Sequence, residues 1–117
     1  MLMKEIESKV SIISQAIDDK GGIDIESIDI SKMTTIADYF VIASGNSSSQ
    51  VKAIADEVED KMFLAGHEKI YNKEGYNSAR WILLDFGDVI AHIFHKEERG
   101  FYNLERLWTI ERKTKED

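Results

Sequence analysis

Apolar residues along the first third of the chain follow a helical beat. From Met3 to Lys20, Ile6, Val10, Ile13 and Ile17 recur at spacings of four, three and four, one stripe of an α-helix. Gly21 and Gly22 follow, where a helix end favours glycine. The beat then shortens. Ile23 to Ile30 interleaves Ile with Asp, Glu and Ser at close to period two, which predicts a half-buried strand. Tyr39 to Ser44 (YFVIAS) is a continuous run of strand-forming types bounded by polar, turn-like residues, as in a central strand buried on both faces. Ser47 with Gln50 three residues later fits a capping box, so a helix is expected to start there. Val51, Ile54, Ala55, Val58 and Met62 form its buried stripe, and Gly66 closes it.

The second half predicts a hairpin and a last helix. His67 to Gly75 has only Ile70 and Tyr71 as large apolar residues, so a strand there is short and near an edge. Arg80 to Phe86 and Val89 to His95 are strong strands separated by Gly87-Asp88, the spacing of a tight antiparallel turn. Phe101, Leu104, Leu107 and Trp108 share helical spacing, which predicts a helix from Glu98 to Trp108 that packs on the sheet. Residues 111–117 are polar throughout and read as a tail, leaving 1–110 as one domain. The whole is an α/β domain with a mixed sheet of about five strands packed with helices. The segment from Tyr39 through the second helix to the edge strand is expected to be a right-handed crossover if those strands are parallel.

Alternation makes the hairpin unusual. One face of its first strand carries Trp81, Leu83 and Asp85, the other Ile82, Leu84 and Phe86. Its second strand repeats the pattern, with Val89, Ala91 and Ile93 against Ile90, His92 and Phe94. Both faces are apolar. Either helices cover the sheet on two sides or one face is left for a partner, and the pattern leaves core and interface open for Trp81. An aromatic and aliphatic patch rimmed by Asp suits a basic protein partner, because aromatic anchors dominate interface energy while rim charges steer.

Charge narrows the partner. The chain of 117 residues carries a formal net charge of −7. From Lys96 onward six basic residues balance six acidic ones, so the excess lies wholly on residues 1–95. Nucleic-acid affinity rests on Lys and Arg that displace counterions, so direct nucleic-acid binding is not expected. There is no Cys, which removes disulfides, thiolate metal sites and a Cys nucleophile together. No apolar run approaches the roughly 18 residues of a membrane span. MLMKEIESKV places acids among its apolar residues and reads as an amphipathic helix, unlike a signal or transit peptide, so a cytoplasmic location is expected.

Candidate chemistry is thin. Ser44-Gly45-Asn46-Ser47 joins a strand to a helix N-terminus, a setting that can hold a phosphate, yet it lacks the Walker Lys and the spaced glycines, and capping already accounts for its Ser and for Gln50. His92 and His95, three apart on a strand, point to opposite faces and cannot grip one metal, and His67 has no evident companion. Asp85-Phe86-Gly87 matches a kinase triplet by letters alone, without the other kinase segments. Asp85 and Asp88 suit the backbone needs of a turn better than a two-carboxylate metal site. Asp56, Glu57, Glu59 and Asp60 read as a solvated helix face. Neither a metal nor a cofactor is expected.

Two segments together resemble the Iojap family. The first runs from Ala37-Asp38-Tyr39-Phe40-Val41-Ile42 through Ser44-Gly45-Asn46-Ser47 to Gln50-Val51-Lys52-Ala53-Ile54-Ala55. The second begins at Glu74-Gly75, continues as Trp81 to Phe94, and ends with Arg99, Phe101-Tyr102, Leu104-Glu105 and Leu107-Trp108. The resemblance covers most of the chain in order. It departs from the pattern at Ser78-Ala79-Arg80, just before Trp81, where a Gly is expected in many relatives.

The resemblance implies a binding protein, not an enzyme. Such a protein docks on the large ribosomal subunit at large-subunit ribosomal protein fourteen and blocks joining of the small subunit, repressing translation when nutrients are scarce. It implies an α/β sandwich similar to nucleotidyltransferases. The paired acids which those enzymes carry on a strand are missing, since Asp56-Glu57 falls on a predicted helix and Asp85 and Asp88 straddle a turn. Mapped onto this chain, the ribosome-facing surface comprises Trp81, Leu83, Leu84, Asp85, Phe86 and Asp88. A homodimer is implied for the free protein, through the same apolar face. The alternatives are a nucleotide-binding enzyme of nucleotidyltransferase-like fold and a large-subunit assembly factor.

Overall fold

A computed structural model describes residues 2–99. The elements run α1 (Leu2–Asp19), β1 (Ile23–Asp29), β2 (Tyr39–Gly45), α2 (Ser48–Leu64), β3 (Asn72–Glu74), β4 (Trp81–Asp85), β5 (Val89–His95) and α3 (Lys96–Arg99). The five strands form one mixed sheet in the order β1-β2-β5-β4-β3. β2 and β5 pair in parallel, and the other neighbours pair antiparallel. β3 therefore runs in the same direction as β2, with β5 and β4 between them. Its three residues are all exposed at the sheet's edge, as the sparse apolar content of 67–75 predicts. The helix predicted over 98–108 begins two residues earlier, at Lys96, and the rest of it lies outside the described residues, as does the polar tail.

The two helical stripes land where their spacing sends them. Ile6, Ile13 and Ile17 of α1 are buried with Ala16, Val10 is partly so, and all five stripe residues of α2 are fully buried. Together they cover one face of the sheet, formed by Val41 and Ala43 of β2, Ile82 and Leu84 of β4, and Val89, Ala91 and Ile93 of β5. Each of the Val, Ile and Leu side chains contributes on the order of 2 kcal/mol by leaving water. The opposite face carries a second apolar cluster of Phe40, Ile42, Ile90 and Phe94, joined by Ile30 and Ala37 from the β1–β2 connection and flanked by Trp81 and Leu83.

Backbone caps fix the helix ends. Gly21 (φ +75°) and Gly66 (φ +89°) each follow a helix in the left-handed conformation. Behind them the N–H of Gly22 reaches Ile17 O at 2.9 Å and that of His67 reaches Met62 O at 2.8 Å, the wider-spanning of the two bonds of a Schellman cap. At the start of α2, Ser47 Oγ accepts from Gln50 N at 3.1 Å, half of the predicted capping box. The other half is shifted by one residue, because Gln50 Oε1 accepts from Asn46 N and not from Ser47 N. Gln50 Nε2 also donates to Lys20 O and Gly21 O, both at 3.0 Å, which ties the end of α1 to the start of α2.

Candidate docking face on the β4–β5 hairpin

The hairpin closes as its spacing demands. Phe86 N donates to Val89 O at 2.9 Å across Gly87-Asp88, and Gly87 has φ +97° while Asp88 does not share the left-handed region. That is the two-residue turn with glycine first, whose twist matches its strands. Asp85 Oδ1 accepts from Gly87 N at 2.8 Å and braces the turn. Asp88 Oδ1 accepts from Lys9 Nζ of α1 at 2.8 Å in a partly buried ion pair. The two carboxylates are thus engaged with different partners. Among the described residues, no three His, Asp or Glu side chains converge as a metal would require.

The six residues singled out from sequence divide by face. Trp81, Leu83 and Asp85 alternate on the side away from α1 and α2, each half-buried. Leu84 (0% exposed) and Phe86 (3%) point the other way, into the core beneath the helices, and have no surface to offer a partner. Asp88 stands half-buried at the turn. The outward set is therefore Trp81, Leu83 and Asp85 with Asp88 at the tip. Period-two alternation, which already separates Leu84 and Phe86 from Trp81, is the signal that sorts them.

Trp81 sits in an aromatic cluster. Its ring stacks on Phe94, its register partner in β5, with centroids 5.0 Å apart and planes 25° apart. Phe40 of β2 meets His92 edge-on at 4.5 Å. Trp81 Nε1 donates to His92 Nδ1 at 3.0 Å, across the diagonal of the hairpin. His92 is only 4% exposed, and burial pushes its pKa down to about 4. From sequence, His92 is only one of three scattered histidines. Its pairing with Trp81 is implicit in the register, which sets Trp81 against Phe94 and so brings His92, two residues away on the same face, within reach.

The approach to β4 is tightly built. Gly75 (φ +78°) passes so close that a Cβ there would meet Trp81 O at 2.0 Å. Ala79, within the Ser78-Ala79-Arg80 stretch that departs from the expected pattern, has φ +54° and is completely buried, so a residue with a side chain occupies a glycine-like conformation. The phosphate-loop reading of Ser44–Ser47 meets groups already in use, since Asn46 N and Gln50 N are satisfied by Gln50 and Ser47.

The comparisons with known proteins converge. The family model described as ribosomal silencing factor during starvation (RsfS) matches residues 3–117. The ribosomal silencing factor RsfS of Bacillus subtilis is 46% identical over 102 residues, covering 87% of this chain and 86% of its own. A crystal structure of a Chromobacterium violaceum protein superposes with a TM-score of 0.85 at 36% identity, over 89% of this chain and 86% of the other. The chloroplastic protein Iojap of Zea mays is 33% identical over 88 residues, covering 73% of this chain and 36% of its own. The fold is thus shared over most of the chain, and the chain belongs to the RsfS family of ribosomal silencing factors, to which the Iojap proteins are related.

Proposed function

We propose that this chain docks on the large ribosomal subunit through the outward face of β4, at large-subunit ribosomal protein fourteen, and represses translation by sterically blocking association of the small subunit. The observation that carries this reading is the half-buried Trp81, stacked on Phe94 and held by His92 on the face that α1 and α2 leave uncovered. Trp81 and Leu83 supply apolar contact, while Asp85 and Asp88 set a negative rim suited to a basic partner. Leu84 and Phe86 hold the hairpin to the core from behind. The excess of acid on residues 1–95 favours basic ribosomal protein over ribosomal RNA as the contact.

The action is binding, not catalysis, and needs no cofactor. Among the described residues no helix is long and apolar enough to cross a membrane. The cytoplasm, where translating ribosomes are found, is the proposed site of action. When free, the chain forms a homodimer through the same apolar face, so dimerisation and docking compete. Co-sedimentation with purified large subunits tests the reading. The chain is expected to pellet with them at low micromolar concentration and to keep added small subunits from joining, and failure to pellet sinks the proposal.

A further inference from the structure

Among the described residues, one buried polar atom has no hydrogen-bond partner: Nε2 of His92. Its companion Nδ1 accepts from the Trp81 indole, which can only donate. In the neutral ring the proton must therefore be on Nε2, so the orphan is a buried N–H donor among Phe40, Phe94 and the Trp81 ring. An unmet donor of this kind costs more than a made hydrogen bond returns. A Phe at this position would fill similar space without it. The one thing that the imidazole supplies and a phenyl ring does not is the acceptor at Nδ1.

We infer that His92 is the positioning residue of the docking face, its Nδ1 fixing the attitude of the Trp81 indole before any partner arrives. The inference rests on the docking reading above and extends it to a residue that touches no partner, since His92 is 4% exposed. Among the described residues, Phe94 and His92 hold the indole. Stacking on Phe94 sets the distance of the ring plane but has no preference for the direction in which Nε1 points. The 3.0 Å bond to Nδ1 sets that direction. An anchor already held in its bound rotamer loses less entropy on docking, which raises affinity without a new contact. Burial keeps the imidazole neutral, and hence an acceptor, throughout the physiological range.

The test compares His92→Phe and His92→Asn with the wild type. Asn places its Oδ1 close to where Nδ1 stands and so keeps the acceptor. Affinity for purified large subunits is measured by co-sedimentation titration, stability by thermal unfolding at pH 7, and the indole by exchange of its N–H proton in NMR, assigned with Trp81→Phe. For His92→Phe the expected result is affinity weakened about tenfold, a melting temperature at or above that of the wild type, and an indole proton that exchanges faster. His92→Asn is expected to recover most of the affinity and the indole protection. The inference is overturned if His92→Phe binds as tightly as the wild type, if its indole proton stays protected, or if His92→Asn binds no better than His92→Phe. A His92→Phe chain melting far below the wild type overturns it too, because the ring would then be there for the core. A wild-type chain that does not pellet at all strikes at the docking reading instead. Lost binding in Trp81→Ala beside intact binding in His92→Phe strikes at this inference alone.

Discussion

Acidification should destabilise this protein in a window set by His92. In the folded chain the pKa of His92 is pushed down to about 4 from an ordinary 6.5, with burial as the cause. As pH falls, the unfolded chain takes up the proton first and the folded chain resists it. Stability contributed by the neutral ring is therefore complete above 6.5 and drains away as pH falls toward 4. The gap is equivalent to roughly 3 kcal/mol over the whole window and to about 2 kcal/mol by pH 5. Urea denaturation followed by circular dichroism at pH 7 and pH 5, on the wild type and on His92→Phe, isolates the effect as a difference of differences. With a slope of about 1.5 kcal/mol per M, the wild-type midpoint should drop by more than about 1 M relative to the variant. Asp29, whose pKa is lowered chiefly by the Ser31 hydroxyl and then by the Ser31 N–H, acts below 3.8 and so leaves this window clear. Equal losses in the two chains between pH 7 and pH 5 would refute the assignment of this acid sensitivity to His92.

Substitutions at three further sites probe the frame, each read as a change in unfolding free energy. Gly75→Ala should destabilise by at least ~2 kcal/mol, because its Cβ would collide with the Trp81 carbonyl at a left-handed position; a change within experimental error would contradict the close approach. Ala79→Gly should be nearly neutral, within about 1 kcal/mol, as relief at φ +54° offsets a lost buried methyl and added chain entropy, whereas Ala79→Val should cost more than about 2 kcal/mol. Gln50→Ala should cost ~1 kcal/mol and raise amide exchange at Asn46, since that side chain bonds Asn46 N, Lys20 O and Gly21 O; unchanged exchange there would deny it the clasp.

Most of the frame is legible in the sequence because it rests on local periodicity. The stripe Val51, Ile54, Ala55, Val58 and Met62 names the buried face of α2 residue by residue, and Gly87-Asp88 gives the hairpin its turn. Sheet order is less accessible. Nothing local in YFVIAS or VIAHIFH says that the two strands lie side by side in parallel, because that pairing depends on how α1 and α2 close over them. The docking face is legible by half. Alternation separates Trp81, Leu83 and Asp85 from Leu84 and Phe86, yet naming the whole strand as a contact surface ignores which side the helices take. The bond from Trp81 to His92 crosses eleven positions of sequence and appears only once the hairpin register is fixed. Ala79 is a further case. Its positive φ and complete burial are features that no pattern of apolar and polar positions around it announces.

The central claim is that the outward face of β4 holds this chain on the large subunit, and the affinity of Trp81→Ala for purified large subunits tests it most directly. Trp81 is half-buried, so the variant should remain folded, as its circular dichroism at pH 7 can verify. Loss of a central aromatic anchor predicts binding weaker by about 2 kcal/mol or more, roughly thirtyfold. A folded Trp81→Ala chain that pellets with large subunits as tightly as the wild type would contradict the claim and return Trp81 to the core.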